Sequence, residues 1–202
     1  ELSSLYLDIS KDSLYCDDPK GARRRSAQTV LFETAKALAT LLAPVLPVTA
    51  EEIWDFIPSF RGKPSSVHLA EFPDFKPLQD AAFMEEWDRL LMVRGEVSKA
   101  LEKLRQEKKI GQSLQASVEV VAPEPFRAVL EKHKGDLATL WIVSRAAVVS
   151  ELSPGPDRFE STELPGLAVG TRAIGGERCE RCWTYAEDLG RRPEHPKLCG
   201  RC

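Results

Sequence analysis

The stretch Ala81–Lys109 reads AAFMEEWDRLLMVRGEVSKALEKLRQEKK, and it decides the fold class of the chain. Apolar residues recur along it at the spacing of one helix face, and Glu, Lys and Arg fill a solvated face opposite. The pattern lasts until Ile110-Gly111, so it predicts one long amphipathic helix. The apolar face consists of Phe83, Trp87, Leu90, Val97, Leu101 and Leu104.

Upstream of this stretch, three further segments have helical patterns. The first sixteen residues have apolar positions at helical spacing. After a cap at Ser26, a 3.6-residue period predicts a helix that Pro44 and Pro47 end, because proline has no amide hydrogen to donate. Thr49–Glu52 (TAEE) predicts a capping box that begins a short third helix. We therefore expect residues 1–112 to form an antiparallel bundle of about four helices.

The pattern changes after this bundle. Ala116–Val121 alternates and is β-branched, which predicts a strand, and Val143–Val149 is a second candidate strand. Two short helical segments lie between them, so residues 113–152 are expected to form a small β-α-α-β domain. Residues 153–176 hold three prolines and five glycines, which predicts a linker or an irregular hairpin.

Four cysteines in the last segment form two Cys-x-x-Cys pairs separated by sixteen residues. This is the spacing of a four-cysteine zinc ribbon, in which two tight knuckles direct four thiolates at one ion. Four thiolates leave no open position on the metal, so we expect one structural Zn²⁺ rather than a catalytic one. Residues 177–202 hold few apolar side chains, so metal binding must supply about 10 kcal/mol of folding free energy. The predicted ligands are Cys179, Cys182, Cys199 and Cys202.

Two other uses of these thiols stay open. A pair of redox disulfides is one alternative, although a thioredoxin-type pair needs a strand–helix junction that the sequence does not predict here. An iron–sulfur cluster is another, because it also takes four thiolates. Clustering of four of the five cysteines, with only Cys16 elsewhere, favours a reducing, cytoplasmic setting over a secreted disulfide scaffold.

The composition excludes several classes of protein. With 202 residues, 43% hydrophobic and 29% charged, the chain is predicted to fold rather than to be disordered. A net charge of −3 excludes a strongly basic, unspecific nucleic-acid binder but not a local basic patch. No apolar run approaches the roughly 20 residues that span a bilayer, so no membrane partner is expected.

A catalytic constellation is not predicted within these residues. The three histidines His68, His133 and His195 are far apart in unlike surroundings. No phosphate-binding glycine motif and no nucleophile elbow occurs. We therefore expect the chain by itself to carry no catalytic site.

Positive charge is concentrated in the run Arg23–Arg25, in the helix end Lys99–Lys109 and in the ribbon. Three arginines just before a predicted helix start are unusual, because the helix dipole disfavours cations there, and a nearby anion would relieve that cost. The alternative, favoured for Arg23, is a solvated turn balanced by Asp17 and Asp18.

In the ribbon, Arg178, Arg181 and Arg201 flank the predicted ligands and can offset the −2 charge of a zinc ion with four thiolates. The same arginines, with Trp183, could instead contact an RNA phosphate and an unpaired base. The alternative for Trp183 is a miniature core of the ribbon.

Five segments together resemble one family. Tyr15-Cys16-Asp17, Arg24–Thr29 (RRSAQT) and Leu41–Trp54 (LLAPVLPVTAEEIW) are similar to the anticodon-binding helical domain of bacterial isoleucyl-tRNA synthetases. Lys108–Ala116 (KKIGQSLQA) and Cys179–Trp183 (CERCW) are similar to the C-terminal part of the same enzymes. The third segment also resembles the valine and leucine enzymes, and the ribbon after the bundle is what points to isoleucine.

The resemblance implies an ATP-dependent ligase that joins isoleucine to its tRNA. ATP and Mg²⁺ would bind only to upstream domains of the parent enzyme, because the nucleotide-binding motifs of the family have no counterpart in this chain. The chain would then be the tRNA-reading end of a cytoplasmic monomer, with isoleucine tRNA and the upstream domains as partners. Candidate contacts to the RNA are Arg24, Arg25 and Gln28 in the bundle, and Arg181 and Trp183 in the ribbon.

Two other functions remain alternatives. The zinc finger of formamidopyrimidine-type DNA glycosylases has the same cysteine spacing, but the N-terminal proline nucleophile and helix–two-turn–helix element of those enzymes do not occur here. The ribbon could also be a purely structural module that docks on other domains of its parent. Overall we expect a mainly α protein, with a helical bundle followed by a small α+β domain and a four-cysteine zinc ribbon.

Overall fold

A computed structural model describes residues 2–202, and contacts between residues divide the chain into two compact units. The smaller unit is Ser13–Gln79, and the larger unit combines the residues up to Asp12 with Asp80–Cys202. No described helix is both long enough and apolar enough to cross a membrane. The elements are a short π-helix (Leu2–Tyr6), α1 (Leu7–Cys16), α2 (Ala22–Leu42), α3 (Pro47–Phe56), 3₁₀ turns at Val67–Leu69 and Lys76–Leu78, α4 (Ala81–Gln106), a 3₁₀ turn at Ser113–Gln115, β1 (Ala116–Val121), α5 (Phe126–Lys132), α6 (Leu137–Trp141), β2 (Arg145–Val148), β3 (Asp157–Glu160) and β4 (Ala168–Ala173).

The core of the smaller unit lies around Trp54 on α3. Its indole is 2% exposed, and Nε1 donates to the carbonyl oxygen of Pro64 at 3.0 Å. The Phe60 ring packs edge-on against this indole, with centroids 5.9 Å apart. Lys63 Nζ donates to the carbonyls of Trp54 and Ile57 at the end of α3, where a cation complements the helix dipole. The other buried side chains of this core are Ala39, Ala43, Ala50, Ile57 and Val67.

The predicted start of α2 is wrong. The helix begins at Ala22, four residues before the predicted cap Ser26. Gly21 is extended, and its N–H donates to the carbonyl of Asp18 at 2.9 Å, which turns the chain before the helix and leaves Ala22 as the first helical residue. The run Arg23–Arg25 therefore lies inside the first turn of α2 rather than before it.

The predicted capping box of α3 is also wrong, because the helix begins at Pro47 and not after Thr49. Proline suits the first helical position, since its φ is fixed near the helical value and the amide hydrogen that it lacks would have no partner there. The predicted end of α2 is confirmed: the helix stops at Leu42, two residues before Pro44.

The long helix predicted from the sequence is confirmed as α4, the central helix of the larger unit. Asp80 caps its start by accepting from the amide of Phe83 at 3.1 Å. The predicted apolar face is shifted, because the Phe83 side chain is 52% exposed while Val93 is buried. The fully buried stripe that packs on the sheet, α5 and α6 is Leu90, Val93, Val97, Ala100, Leu101 and Leu104.

A four-stranded sheet with the order β2-β1-β4-β3 packs against this stripe. β1 pairs parallel with β2, which requires the crossover through α5 and α6, and β4 pairs antiparallel with both β1 and β3. Alternate residues of β1 are buried, as its pattern predicted. The fold class is therefore mainly α with a small α+β part, as expected.

The segment 153–176, predicted as a linker or irregular hairpin, contains β3 and β4 and adds two strands to the sheet. Gly170 lies inside β4 where a Cβ would be 3.1 Å from a methyl group of Leu152, so a larger residue there would require the Leu152 side chain to shift. The predicted bundle over residues 1–112 also differs from the observed grouping, since α4 belongs to the larger unit with the sheet.

Candidate metal centre and nucleic-acid interface

The four predicted cysteine ligands converge in the last segment of the larger unit. Their sulfur atoms all lie within 4.8 Å of one another, and the Sγ atoms of Cys182 and Cys199 are 3.7 Å apart. A tetrahedral zinc site with Zn–S bonds near 2.3 Å needs sulfur–sulfur distances of about 3.8 Å. Cys179 and Cys199 are buried, and Cys182 and Cys202 are half-buried. This arrangement fits a closed four-thiolate zinc site.

Backbone hydrogen bonds shape the two cysteine knuckles. In the first, the amide of Trp183 donates to the carbonyl of Cys179 at 2.9 Å, and Trp183 is left-handed with φ of 64°. In the second, the amide of Cys202 donates to the carbonyl of Cys199 at 3.0 Å. The amide of Cys199 also donates to Cys179 Sγ at 3.4 Å, which joins the two knuckles.

The local environment shifts the pKa values of Cys179 and Cys202 in opposite directions. Burial raises the pKa of Cys179, but amide donors from Cys182, Cys199 and Arg181 outweigh it and lower this pKa to about 6. Burial and the neighbouring thiols raise the pKa of Cys202. Four thiolates at these distances repel one another, so a divalent cation between them is what allows all four to ionise.

The ribbon is attached to the sheet of the same unit through Tyr185. Its amide donates to Ser144 Oγ at 2.8 Å, and its hydroxyl accepts from Gln115 Nε2 at 3.2 Å. Arg145 Nη2 and Glu187 Oε1 form an ion pair at 2.8 Å beside this contact. The ribbon therefore has a fixed position relative to the sheet.

Two contacts of the second knuckle were missed by sequence reasoning. The guanidinium of Arg201, between the ligands Cys199 and Cys202, donates to both carboxylate oxygens of Asp12, with Nη1 at 2.8 Å from Oδ2. The amide of Gly200 donates to Asp188 Oδ2 at 3.0 Å, and a Cβ at residue 200 would lie 2.3 Å from that oxygen. The glycine was a usable signal, whereas nothing near Asp12 in the sequence indicates a partner 189 positions away.

The ribbon candidates for RNA contact lie on its surface. Trp183 is 54% exposed, so the interpretation of this side chain as a miniature core is wrong. The guanidinium carbon of Arg178 is 5.3 Å from the centroid of the indole ring, a cation–π geometry. Arg181 is exposed between the ligands of the first knuckle.

The three candidates of the smaller unit lie in the first two turns of α2. Arg25 and Gln28 are exposed, and Arg24 is half-buried with Nη1 3.3 Å from the carbonyl oxygen of Asp17. The buried Nε of Arg24 has no hydrogen-bond partner among residues 2–202. Arg23 forms the predicted ion pair with Asp17, at 3.7 Å.

The positive charge at the start of α2 has no acidic counterpart in the first turn of the helix. The first turn of α2 holds no acidic residue, and the positive end of the helix dipole lies there as well. Because Arg24 and Arg25 stand one turn from Gln28, their side chains can act on one ligand. The arrangement favours an anionic ligand at this end of α2.

Residues 1–120 match a family model described as the anticodon-binding domain of tRNA ligase. The chain belongs to this family. The ribbon, residues 176–202, matches the zinc finger found in FPG and IleRS, and this match includes all four converging cysteines. The zinc-finger match and the four close cysteines point to a structural zinc ion. The DNA glycosylase alternative is not favoured, because the helical residues match the tRNA ligase domain.

Curated relatives align with the whole of this anticodon-binding chain. They include proteins named isoleucine–tRNA ligase from Geobacter sulfurreducens, 44% identical over 204 residues, and from Syntrophotalea carbinolica, 47% identical over 204 residues. The protein of the same name from Geobacillus thermodenitrificans is 44% identical over 203 residues. Each alignment covers 100% of this chain, and the chain spans 22% of the length of these relatives.

Proposed function

We propose that this chain is the tRNA-reading part of an isoleucine–tRNA ligase and binds the anticodon region of isoleucine tRNA. The observation that carries the proposal is that proteins of that name align over the helical residues and the zinc ribbon together. In this proposal ATP and Mg²⁺ bind to other domains of the ligase, which acts as a monomer in the cytoplasm. The function of the chain is recognition, with residues 1–112 contacting the anticodon loop and the sheet and ribbon extending the contact.

The first two turns of α2 supply one contact to the RNA in this proposal. Arg24 and Arg25 add positive charge to the positive end of the helix dipole, which suits a phosphate. Gln28 carries both an amide donor and an acceptor, so it can pair with a base edge splayed out of the loop. Together these side chains can bind a phosphate of the RNA backbone and recognise a neighbouring base.

The first knuckle of the ribbon supplies the second contact. The exposed indole of Trp183 can stack on an unpaired base, a contact that contributes about 1–3 kcal/mol. Zinc with four thiolates carries a charge of −2, which would repel a phosphate. Arg178 over the indole and Arg181 between the ligands offset that repulsion and leave the ribbon surface able to accept RNA.

The double substitution Arg24→Ala with Arg25→Ala is expected to weaken binding of isoleucine tRNA about tenfold to a hundredfold, because each lost charged hydrogen bond costs about 1.5 kcal/mol or more. Competitive filter binding with the zinc-loaded full-length protein measures this. The wild type should prefer isoleucine tRNA over the same transcript with an altered anticodon, and both over duplex DNA.

The matched control is Arg61→Ala, an exposed arginine of the same unit outside α2. Its affinity should stay within twofold of the wild type. Equal wild-type affinity for all three nucleic acids would contradict the proposal. Unchanged tRNA charging in the double variant would instead support a module that only docks on other domains.

A further inference from the structure

The second half of α4 borders a cavity that the proposed function does not use. It is open to solvent and has a volume of about 430 Å³. It lies wholly within the larger unit, between α4, the end of α6 and the 3₁₀ turn before β1. The side chains on which the argument depends are Arg94, Ser98, Arg105, Ser113 and Glu102.

The α4 residues that line the cavity lie on one face of the helix. Arg94, Ser98 and Arg105 follow the spacing i, i+4 and i+11, which keeps them in line along α4, next to the buried stripe. Arg94 Nε donates to the carbonyl oxygen of Leu140 at 3.1 Å, which orients the guanidinium at the end of α6. Among residues 2–202, no carboxylate forms an ion pair with Arg94. Its two terminal nitrogens are therefore available to a ligand.

The side chains that line the cavity include more basic than acidic groups. Its basic residues are Arg94, Lys99 and Arg105, and Glu102 is the one acidic residue among the described residues that line it. Arg105 pairs with Glu102, and its Nη2 also donates to Ser113 Oγ at 3.1 Å, so its guanidinium is held at the cavity. Lys99 is neutralised from outside the lining by two glutamates, which leaves Arg94 as the uncompensated charge.

We propose that this cavity binds a backbone phosphate of the RNA that the proposed function assigns to this chain, and the inference rests on that function. An arginine guanidinium presents a planar fork of donors that matches phosphate oxygens, and the hydroxyls of Ser98 and Ser113 add two donors. The lining is mostly polar side chains, which suits a phosphate better than a base or another apolar ligand. Of the basic helix end Lys99–Lys109, which the sequence singled out, Arg105 supplies a donor to this site.

The test compares Arg94→Gln, Arg105→Gln and the double variant in the zinc-loaded full-length protein. The double variant should bind an isoleucine tRNA transcript about 5- to 30-fold more weakly at moderate salt. The slope of log affinity against log salt concentration should fall by about 1 for each arginine that contacts a phosphate. The loss should be the same for a transcript with an altered anticodon, because backbone contacts carry no base information.

Two further variants separate charge, geometry and folding. Arg94→Lys should keep most of the salt slope, since the charge remains, but lose part of the affinity with the planar fork. Arg158→Gln is the matched control: this exposed arginine of the same unit also pairs with one glutamate, and it lies outside the cavity lining. All variants should keep one zinc ion and the wild-type circular dichroism spectrum.

The outcomes distinguish this inference from the proposed function. Wild-type binding of tRNA with unchanged affinity and slope in the double variant overturns the inference and leaves the proposed function standing. Saturable binding of inorganic phosphate that needs Arg94, without any effect of the variants on tRNA, assigns the cavity to free phosphate and also overturns it. Absence of tRNA binding by the wild type overturns both.

Discussion

Replacing Cys199 by serine in the full-length protein is expected to abolish zinc binding and to unfold the ribbon. Cys199 is buried, its sulfur lies 3.7 Å from that of Cys182, and its amide donates to Cys179 Sγ. A serine hydroxyl does not replace a thiolate on zinc, and a structural zinc site contributes on the order of 10 kcal/mol to folding. Native mass spectrometry should find one zinc ion in the wild type and none in Cys199→Ser.

The loss should be confined to the ribbon. Limited proteolysis should cut within residues 177–202 of the variant, while the far-ultraviolet circular dichroism from the helices changes little. Cys16→Ser is the matched control, because Cys16 on α1 lies outside the cysteine cluster, and it should retain the metal. A folded ribbon in metal-free wild-type protein, or iron in place of zinc, would contradict the assignment.

Replacing Trp54 by alanine is expected to lower the free energy of unfolding of the smaller unit by about 3–5 kcal/mol. The indole is almost fully buried, it donates to the carbonyl of Pro64, and the Phe60 ring packs on it. Truncation removes the largest buried side chain of this core and leaves the Pro64 carbonyl without that donor. Urea unfolding followed by circular dichroism measures the change.

Phe56→Ala is the control on the same helix, since that side chain is 84% exposed. Its effect should stay within about 0.5 kcal/mol, as is usual for surface substitutions. If both variants lose the same free energy, burial of the Trp54 indole is not what stabilises this core.

Strong periodicity is what made part of this fold predictable. α4 repeats its apolar pattern over seven turns, so an error at one position, such as the exposed Phe83, leaves the prediction intact. The cysteine site was predictable for a different reason: ligand spacing alone restricts the geometry that two knuckles can form. In both cases local sequence contains the physical constraint.

The parts that sequence did not predict depend on distant partners. Gly170 and small residues weaken the strand pattern of β4, so the segment resembles a linker. The close approach of Leu152 and Pro156 to Gly170 is not visible in the sequence. Glu96 belongs by spacing to the solvated face of α4, yet it is buried and accepts from Lys99 at 2.7 Å. Its burial raises its pKa, and hydrogen bonds from Lys99 and Ser161 lower the pKa below the ordinary value. No local pattern indicates such partners.

The hydrogen bonds between Arg201 and Asp12 join the two separate chain segments of the larger unit, the residues up to Asp12 and the segment Asp80–Cys202. The arginine stands between two zinc ligands, so its position depends on the metal. Loss of the metal is therefore expected to release the hydrogen bonds that hold Asp12, in the second half of α1. Faster amide exchange around residue 12 after removal of zinc would show that this contact depends on the metal.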